Sequence, residues 1–270
     1  AWGNRDERIK NQIYNDLVES NINLHKGCRW WDLDFYPDDG SEQWKFDIAS
    51  NTQWVCEDEI MKIMNKAKEI VPESRNLVFM GGVALNCVAN EKVAKEWDDI
   101  WIMPNPGDAG SSLGCAARVY GRKINWEHTF LGTNIKGSYP VKKASDLLIK
   151  GELIGIANGR AEFGPRALGN RSLIADPRGD DIKDRMNVIK KRQKFRPFAP
   201  SVLEEHAHEI FDLPVKKASY MQFTAKCKFP DLYPAICHVD GTSRVQTINR
   251  KENRGYYDMI KRFYDKTGCP

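Results

Sequence analysis

The sequence lacks any apolar run near the roughly 20 residues that a membrane-spanning helix needs. Residues 1–10 are polar and charged, so they show no signal peptide. With 41% hydrophobic and 29% charged residues, the composition is that of a soluble globular chain. These observations argue against a membrane protein and favour a cytoplasmic one.

Paired cysteines are also missing. The seven cysteines are an odd number, and no two are spaced as Cys-x-x-Cys. A disulfide framework and a zinc site are therefore not expected, and free thiols in a reducing cytoplasm fit best. His206 and His208 are two apart on a predicted helix and point to different faces, so we assign them no metal role.

Charge of one sign is not in large excess. The net charge of +4 is too small to indicate a nucleic-acid partner. Basic residues nevertheless cluster between Lys183 and Arg196. This cluster is either a solvated face of a helix or an anion site.

An initiating methionine is absent, and the chain ends at Gly268-Cys269-Pro270, where a new strand could begin. We therefore expect both ends to lie inside a longer protein.

Apolar patterning in the first half predicts alternating helices and strands. A helix is predicted from Asp47 to about Ile70, because its apolar positions share one face and Pro72 follows. Further predicted elements are strands at 77–80 and 100–103 and helices at 84–96 and 111–120. This order is typical of an α/β fold.

The second half is predicted to be mixed α/β, beyond a segment with little periodicity from Gly121 to Pro140. We predict domains at 1–125 and 141–270, joined by a linker at 126–140. Helices are expected at 141–149 and 253–266, and strands near 153–157, 172–175, 198–203, 220–225 and 245–248.

Two glycine-containing loops follow the two predicted strands of the first half. Ligands of open α/β sheets gather at the carboxyl ends of strands, and glycines let backbone N–H groups approach a phosphate. Asn86 could bind a base or ribose, and Asp108 could hold a metal ion, or simply cap the helix at Ser111. The candidate nucleotide-binding residues are Gly81, Gly82, Val83, Asn86, Gly107 and Gly110, with Asp108 as the metal ligand.

Arginine alternates with glycine between Gly159 and Arg171. Guanidinium groups bind phosphate and carboxylate oxygens in pairs of hydrogen bonds, and glycines let a loop close around an anion. A basic run and a His-Asp-Gly-Thr-Ser-Arg segment follow later in the chain. The candidate catalytic residues are Arg160, Arg166, Arg171, Lys190, Arg192, Arg196, His238 and Arg244.

Several long blocks resemble the carbamoyltransferase family, which includes nodulation-factor, cephalosporin and aminoglycoside O-carbamoyltransferases. FMGGVALNCVAN and MPNPGDAGSSLGCA are similar to its actin-like domain, of the sugar-kinase-like ATPase fold. GRAEFGPRALGNRSLIADPR, IKKRQKFRPFAPSVL and HVDGTSRVQT are similar, in that order, to its YrdC-like domain. The resemblance runs from about Phe46 to the end of the chain and implies the C-terminal lobe of the actin-like fold, followed by a mixed α/β YrdC-like domain.

The resemblance also implies a reaction. In the family, the YrdC-like domain converts carbamoyl phosphate and ATP to carbamoyl-adenylate, and the actin-like domain passes the carbamoyl group to a hydroxyl of a small-molecule acceptor. A divalent metal, iron, serves the actin-like site, and Mg accompanies ATP. Asp108 and the glycine loops would hold the metal and the adenylate, and the basic residues would bind the phosphates.

The sequence departs from the family pattern in three respects. The metal-binding histidine pair lies in an N-terminal lobe that is not found here, and His25 and His128 do not replace it. The strand and glycine loop expected after residues 267–270 are missing, so we expect this chain alone to be inactive. Gln193 and Lys194 replace a more usual acidic residue and proline.

Two other functions remain open. Threonylcarbamoyl transfer to transfer RNA explains the first half but not the arginine-rich blocks. A non-enzymatic nucleotide- or RNA-binding module would use the basic run and would bind RNA with a steep dependence on salt.

Overall fold

The computed structural model describes residues 2–19 and 41–270. Contacts divide the chain into two compact units, residues 1–74 and 75–270. Within the described residues, none of the helices combines the length and apolar character required to cross a bilayer. His25 lies outside the described residues.

The first unit is helical: α1 (Glu7–Tyr14), a π-helical turn (Asn15–Glu19) and α2 (Gln43–Ile70). Ile9 and Ile13 of α1 pack against Val55 of α2. Buried Asn51 of α2 accepts a hydrogen bond from the backbone N–H of Asp6 at 3.0 Å. The predicted helix is thus confirmed, although it starts four residues earlier, at Gln43.

The second unit is mixed α/β, which confirms the predicted class. Its first part contains β1 (Asn76–Phe79), a 3₁₀ turn (Gly82–Leu85), α3 (Cys87–Ala94), β2 (Asp99–Ile102), a 3₁₀ turn (Asp108–Gly110) and α4 (Ser111–Tyr120). β1 and β2 pair in parallel, with Asn76 opposite Asp99. A small core of Ala84, Ala94, Ile102, Ala218 and Phe223 lies in this region.

The remaining elements of this unit are β3 (Phe130–Ile135), α5 (Val141–Ile149), β4 (Ile154–Ala157), β5 (Gly159–Glu162), β6 (Arg171–Ile174), α6 (Ile182–Ile189), β7 (Ser201–Leu203), a 3₁₀ turn (Glu204–His206), α7 (Ala207–Ile210), β8 (Phe211–Asp212), β9 (Thr224–Cys227), β10 (Thr242–Arg244), β11 (Gln246–Ile248) and α8 (Arg254–Thr267). The pairs β3–β5 and β4–β6 are antiparallel, and β7–β11 is parallel. β9 lies between β8 and β10 in an antiparallel sheet.

The largest core of the second unit lies between these strands and the helices α5 and α8. Phe211, Leu203 and Met259 are almost fully buried there. Burying such a side chain stabilises a fold by about 1.5–3 kcal/mol. This core provides a rigid base for the strands that hold the arginine-rich segment.

Several boundaries differ from those predicted; the helix predicted at 84–96, for example, is a 3₁₀ turn followed by the shorter α3. The predicted strand at 220–225 begins only at Thr224, and the one at 198–203 begins at Ser201, just after Pro200, which has no N–H to donate. The predicted linker at 126–140 contains β3, which pairs with β5. The division into domains at 1–125 and 141–270 stays a prediction.

Candidate anion-binding site

The two glycine-containing loops meet at the carboxyl ends of β1 and β2. The N–H of Gly81 donates to the carbonyl of Pro106 at 2.9 Å. A Cβ atom on Gly107 would lie 3.6 Å from Cα of Gly82. The parallel pairing of the strands brings the loops together, as their order in the sequence indicates.

Two other residues of these loops have local roles. Asn86 accepts a hydrogen bond from the N–H of Ala89 at 3.2 Å and caps α3. Gly110 packs so closely that a Cβ atom there would lie 1.8 Å from the carbonyl oxygen of Asn105. Val83 is exposed in the 3₁₀ turn after β1.

Asp108 is exposed and opens the second 3₁₀ turn. The helix at Ser111 is preceded by Gly110 and has no side-chain cap, so the capping alternative for Asp108 is wrong. Across residues 2–19 and 41–270, no group of three or more His, Cys, Asp or Glu side chains could hold a metal ion. Metal binding by Asp108 therefore stays a prediction.

The arginine-rich segment consists of β5, a loop at residues 163–170 and the first residue of β6. The carboxylate of Glu162, at the end of β5, holds the two ends of this loop together. Oε1 of Glu162 accepts hydrogen bonds from the N–H groups of Leu168 and Asn170, each at 2.9 Å, and of Arg171 at 3.1 Å. Sequence reasoning missed Glu162. The available signal was an acidic residue at the start of a glycine-rich loop, whose backbone N–H groups need acceptors.

Two of the predicted anion-binding arginines bind backbone carbonyls instead. The guanidinium of Arg171 donates to the carbonyls of Thr133, Asn158, Gly159 and Asn170 at 2.7–3.0 Å. Arg160 is exposed on β5 and donates to the carbonyl of Leu131 at 3.0 Å. Their side chains therefore join neighbouring segments of the fold. Neither side chain lines the cavity that Arg166 lines.

Other basic residues line a cavity of about 380 Å³. The cationic residues around it are Arg166, Lys190, Arg192 and Arg244, and no acidic residue is among the described residues of its lining. The remainder is largely apolar and includes Ile182, Met186 and Phe263. Such a cavity favours a ligand with a multiply charged anionic end and an apolar or aromatic end.

Arg192 is held by several contacts and Arg166 by one, and the guanidinium of Arg192 also makes a long hydrogen bond, 3.4 Å, to the carbonyl of Pro197. Nε of Arg192 donates to Oδ1 of Asn187 at 2.6 Å, and its guanidinium lies 4.3 Å from the ring centre of Phe198. Nη2 of Arg166 makes a long hydrogen bond, 3.4 Å, to the carbonyl of Leu85 in the first glycine loop. Most of the donors of Arg166 therefore remain available for a ligand.

Arg244 is a partly buried cation of the cavity. Burial lowers the pKa of Arg244, and the positive charge of Arg166 lowers it further. Its Nε is buried and has no hydrogen-bond partner among the described residues. Burial, and then the charge of Arg196, also lowers the pKa of Arg192. Arginine stays protonated in proteins, so these charges repel one another, and an anion between them would offset that repulsion.

The other predicted residues lie outside this lining. Arg196 is exposed next to the cavity and acts on Arg192 through its charge. His238 lies 3.7 Å from Asp240, measured from Nδ1 to Oδ2, and does not line the cavity. Of the eight predicted basic or histidine residues, the structure brings together Arg166, Lys190, Arg192 and Arg244.

Comparisons with known proteins identify the family of the chain. A model of the carbamoyltransferase N-terminus matches residues 4–117, and a model of the carbamoyltransferase C-terminus matches residues 145–270. The chain belongs to the carbamoyltransferase family. The first match begins at residue 4, well before Phe46, from which the quoted blocks indicate the resemblance. Residues 118–144 lie between the two matches.

Curated relatives cover most of this chain. The nodulation protein NolO of Bradyrhizobium diazoefficiens is 37% identical over an alignment of 257 positions that covers 83% of this chain and 47% of NolO. The nodulation protein NolNO of Sinorhizobium fredii is 35% identical, over 83% of this chain and 38% of its own length. An uncharacterised protein of Methanocaldococcus jannaschii is 31% identical, over 95% of this chain and 49% of its own length. The chain thus spans about half the length, or less, of these relatives.

Proposed function

We propose that this chain carries the phosphate-binding site of an O-carbamoyltransferase, and that carbamoyl phosphate and ATP react there. The observation that carries the proposal is the cavity itself, in which four cationic side chains and no described acidic one surround a space of about 380 Å³. Membership of the carbamoyltransferase family supports carbamoyl transfer as the chemistry.

The proposed reaction has two steps. Carbamoyl phosphate, ATP and water yield carbamoyl-adenylate, phosphate and pyrophosphate. A hydroxyl oxygen of the acceptor then attacks the carbamoyl carbon, AMP leaves and the hydroxyl proton is lost. The acceptor is proposed to be a sugar or another small natural product with a free hydroxyl.

The cavity contributes to the first step by electrostatics. Carbamoyl phosphate and the triphosphate of ATP repel each other, and the cations let the two anions approach. Arg166 and Arg244 offer planar pairs of N–H donors that match phosphate oxygens. Arg244 gains most from ligand binding, because its buried Nε then obtains an acceptor.

We propose that the fold has two domains, one for each step of the reaction. The β1–α3–β2 segment and its two loops would belong to the actin-like domain, with the glycines of 81–110 against the adenylate. The segment from α5 onward would form the YrdC-like domain. The long hydrogen bond from Arg166 to Leu85 supports placing the two half-sites near each other. Metal binding by Asp108 stays a prediction, and neither step above depends on it.

The test is pyrophosphate release from ATP by a longer protein that contains this chain together with the segments expected on either side of it, with and without carbamoyl phosphate. The proposal predicts release that requires carbamoyl phosphate and a product of the mass of carbamoyl-adenylate. Release that requires threonine and bicarbonate instead would identify threonylcarbamoyl chemistry. RNA binding with no pyrophosphate release would identify a non-enzymatic binding module.

A further inference from the structure

We infer that Glu162 is a positioning residue of the cavity: its carboxylate closes the loop that presents Arg166. The inference rests on the proposed function, because it assumes that Arg166 binds the substrate anion. Glu162 itself does not line the cavity, so it does not face the anion.

Hydrogen bonds hold the two ends of the loop together at its neck. One oxygen of Glu162 accepts three backbone N–H groups from residues 168–171. Immediately after Glu162, the N–H of Phe163 donates to the carbonyl of Thr129 at 2.7 Å, and Thr129 Oγ1 donates to the carbonyl of Phe163 at 2.8 Å. Residues 163–167 are therefore tied at both ends, and Arg166 lies between the ties.

The loop also has little room to relax. Gly164 has a φ of 138°, and a Cβ atom there would lie 2.6 Å from the carbonyl oxygen of Pro104. Gly169 has a φ of 117°, and a Cβ atom there would overlap the ring of Tyr256 at 2.3 Å. Pro165 fixes its own φ. Other hydrogen bonds also hold residues 168–171, but three of their backbone N–H groups end on the one oxygen of Glu162, which therefore helps to set the position of the loop neck.

The hydrogen-bond acceptor at the loop neck must meet a chemical requirement. Three N–H groups that converge on one point need an oxygen with free lone pairs and no proton of its own there. A glutamate supplies it, and the amide oxygen of glutamine supplies it as well. Aspartate keeps the charge but is one methylene shorter, so its oxygens do not reach the same point. The role therefore depends on where the oxygen lies and less on its charge.

The experiment compares Glu162→Ala, Glu162→Gln and Glu162→Asp with the unmodified chain by calorimetric titration with carbamoyl phosphate. The Kd is expected to rise about tenfold or more in Glu162→Ala and Glu162→Asp, because Arg166 loses its position. Glu162→Gln is expected to bind within about threefold of the unmodified chain. In a turnover assay of a longer enzyme that contains this chain, Glu162→Ala and Glu162→Asp should raise the KM for carbamoyl phosphate more than they lower kcat.

Asn249→Ala is the matched control. Oδ1 of Asn249 also gathers backbone N–H groups, those of Lys251 at 3.1 Å and Glu252 at 2.9 Å, but Asn249 does not line the cavity. This variant should lose stability and keep the Kd of the unmodified chain.

The outcomes separate the two proposals. If the unmodified chain does not bind carbamoyl phosphate, the proposed function fails. If it binds and Glu162→Ala binds equally well, the role of Glu162 is overturned. If Glu162→Ala does not fold, the order of the other two variants decides: tight binding by Asp with weak binding by Gln would mean that charge, and not position, is what matters.

Discussion

At the scale of single residues, the arginines of the 159–171 segment differ in what their guanidinium groups contact. Arg171 donates to four backbone carbonyls, whereas Arg166 makes one long bond and lines the cavity. Their spacing in the sequence is compatible with either role. The difference arises from β5 and β6, which turn Arg171 toward the backbone of β3 and its neighbours.

Arg171→Lys is therefore predicted to reduce stability. An ammonium group cannot reproduce the planar set of bonds to four carbonyls, and a hydrogen bond to a charged group is worth about 1.5–3 kcal/mol. Allowing for bonds that lysine keeps, the free energy of unfolding should fall by about 2–4 kcal/mol. Urea denaturation measures this change. An unchanged unfolding midpoint would assign Arg171 to the ligand instead.

At the scale of elements, several helices and strands with a periodic or apolar pattern of their own were predicted to within one residue. The helices at 111–120 and 141–149 were placed correctly because their apolar positions repeat within the helix itself. β3 was not predicted, since it is exposed along most of its length and depends on pairing with β5. The cavity residues could be proposed from the sequence only as a set of basic residues. Which of them converge depends on pairings distant in sequence, such as β4 with β6.

The packing of α5 against α8 includes an ion pair whose effect depends on pH. Asp146 of α5 accepts from Lys142 at 2.7 Å and from Arg262 of α8 at 2.9 Å. These hydrogen bonds, first that of Lys142, lower the pKa of Asp146 to about 2. Because the pKa is lowered on folding, the stabilisation is present above the unfolded pKa of about 3.9 and is lost as the pH falls through about 2.

Asp146→Asn is predicted to lower Tm slightly at pH 7, since the pair is at the surface. The difference between the variant and the unmodified chain should shrink below about pH 4 and vanish near pH 2. Thermal unfolding at several pH values measures it. A difference that grows toward low pH would contradict this assignment.

At the scale of the whole molecule, the second unit exposes large apolar side chains around β1, β2 and α4. Val119 is 89% exposed, Val78 67% and Tyr120 61%. Helix α4 has no buried residue. Exposed apolar surface of this kind promotes association. We therefore predict that the chain self-associates as its concentration rises.

Light scattering after size-exclusion chromatography measures this association. Val119→Asp should shift the chain toward the monomer, whereas Val188→Asp, at a similarly exposed position on α6, should change it less. A monodisperse monomer at all concentrations would show that this apolar surface does not drive self-association.

The central claim is that the cavity around Arg166 binds the anions from which carbamoyl-adenylate is made, and Arg166→Lys tests it most directly. Lysine keeps the positive charge but loses the planar pair of donors, so carbamoyl-phosphate-dependent pyrophosphate release by a longer enzyme that contains this chain should fall about ten- to a hundredfold. The unfolding midpoint should change little, because Arg166 has only one long hydrogen bond within the described chain. Full activity in Arg166→Lys, or a loss explained by unfolding alone, would contradict the account.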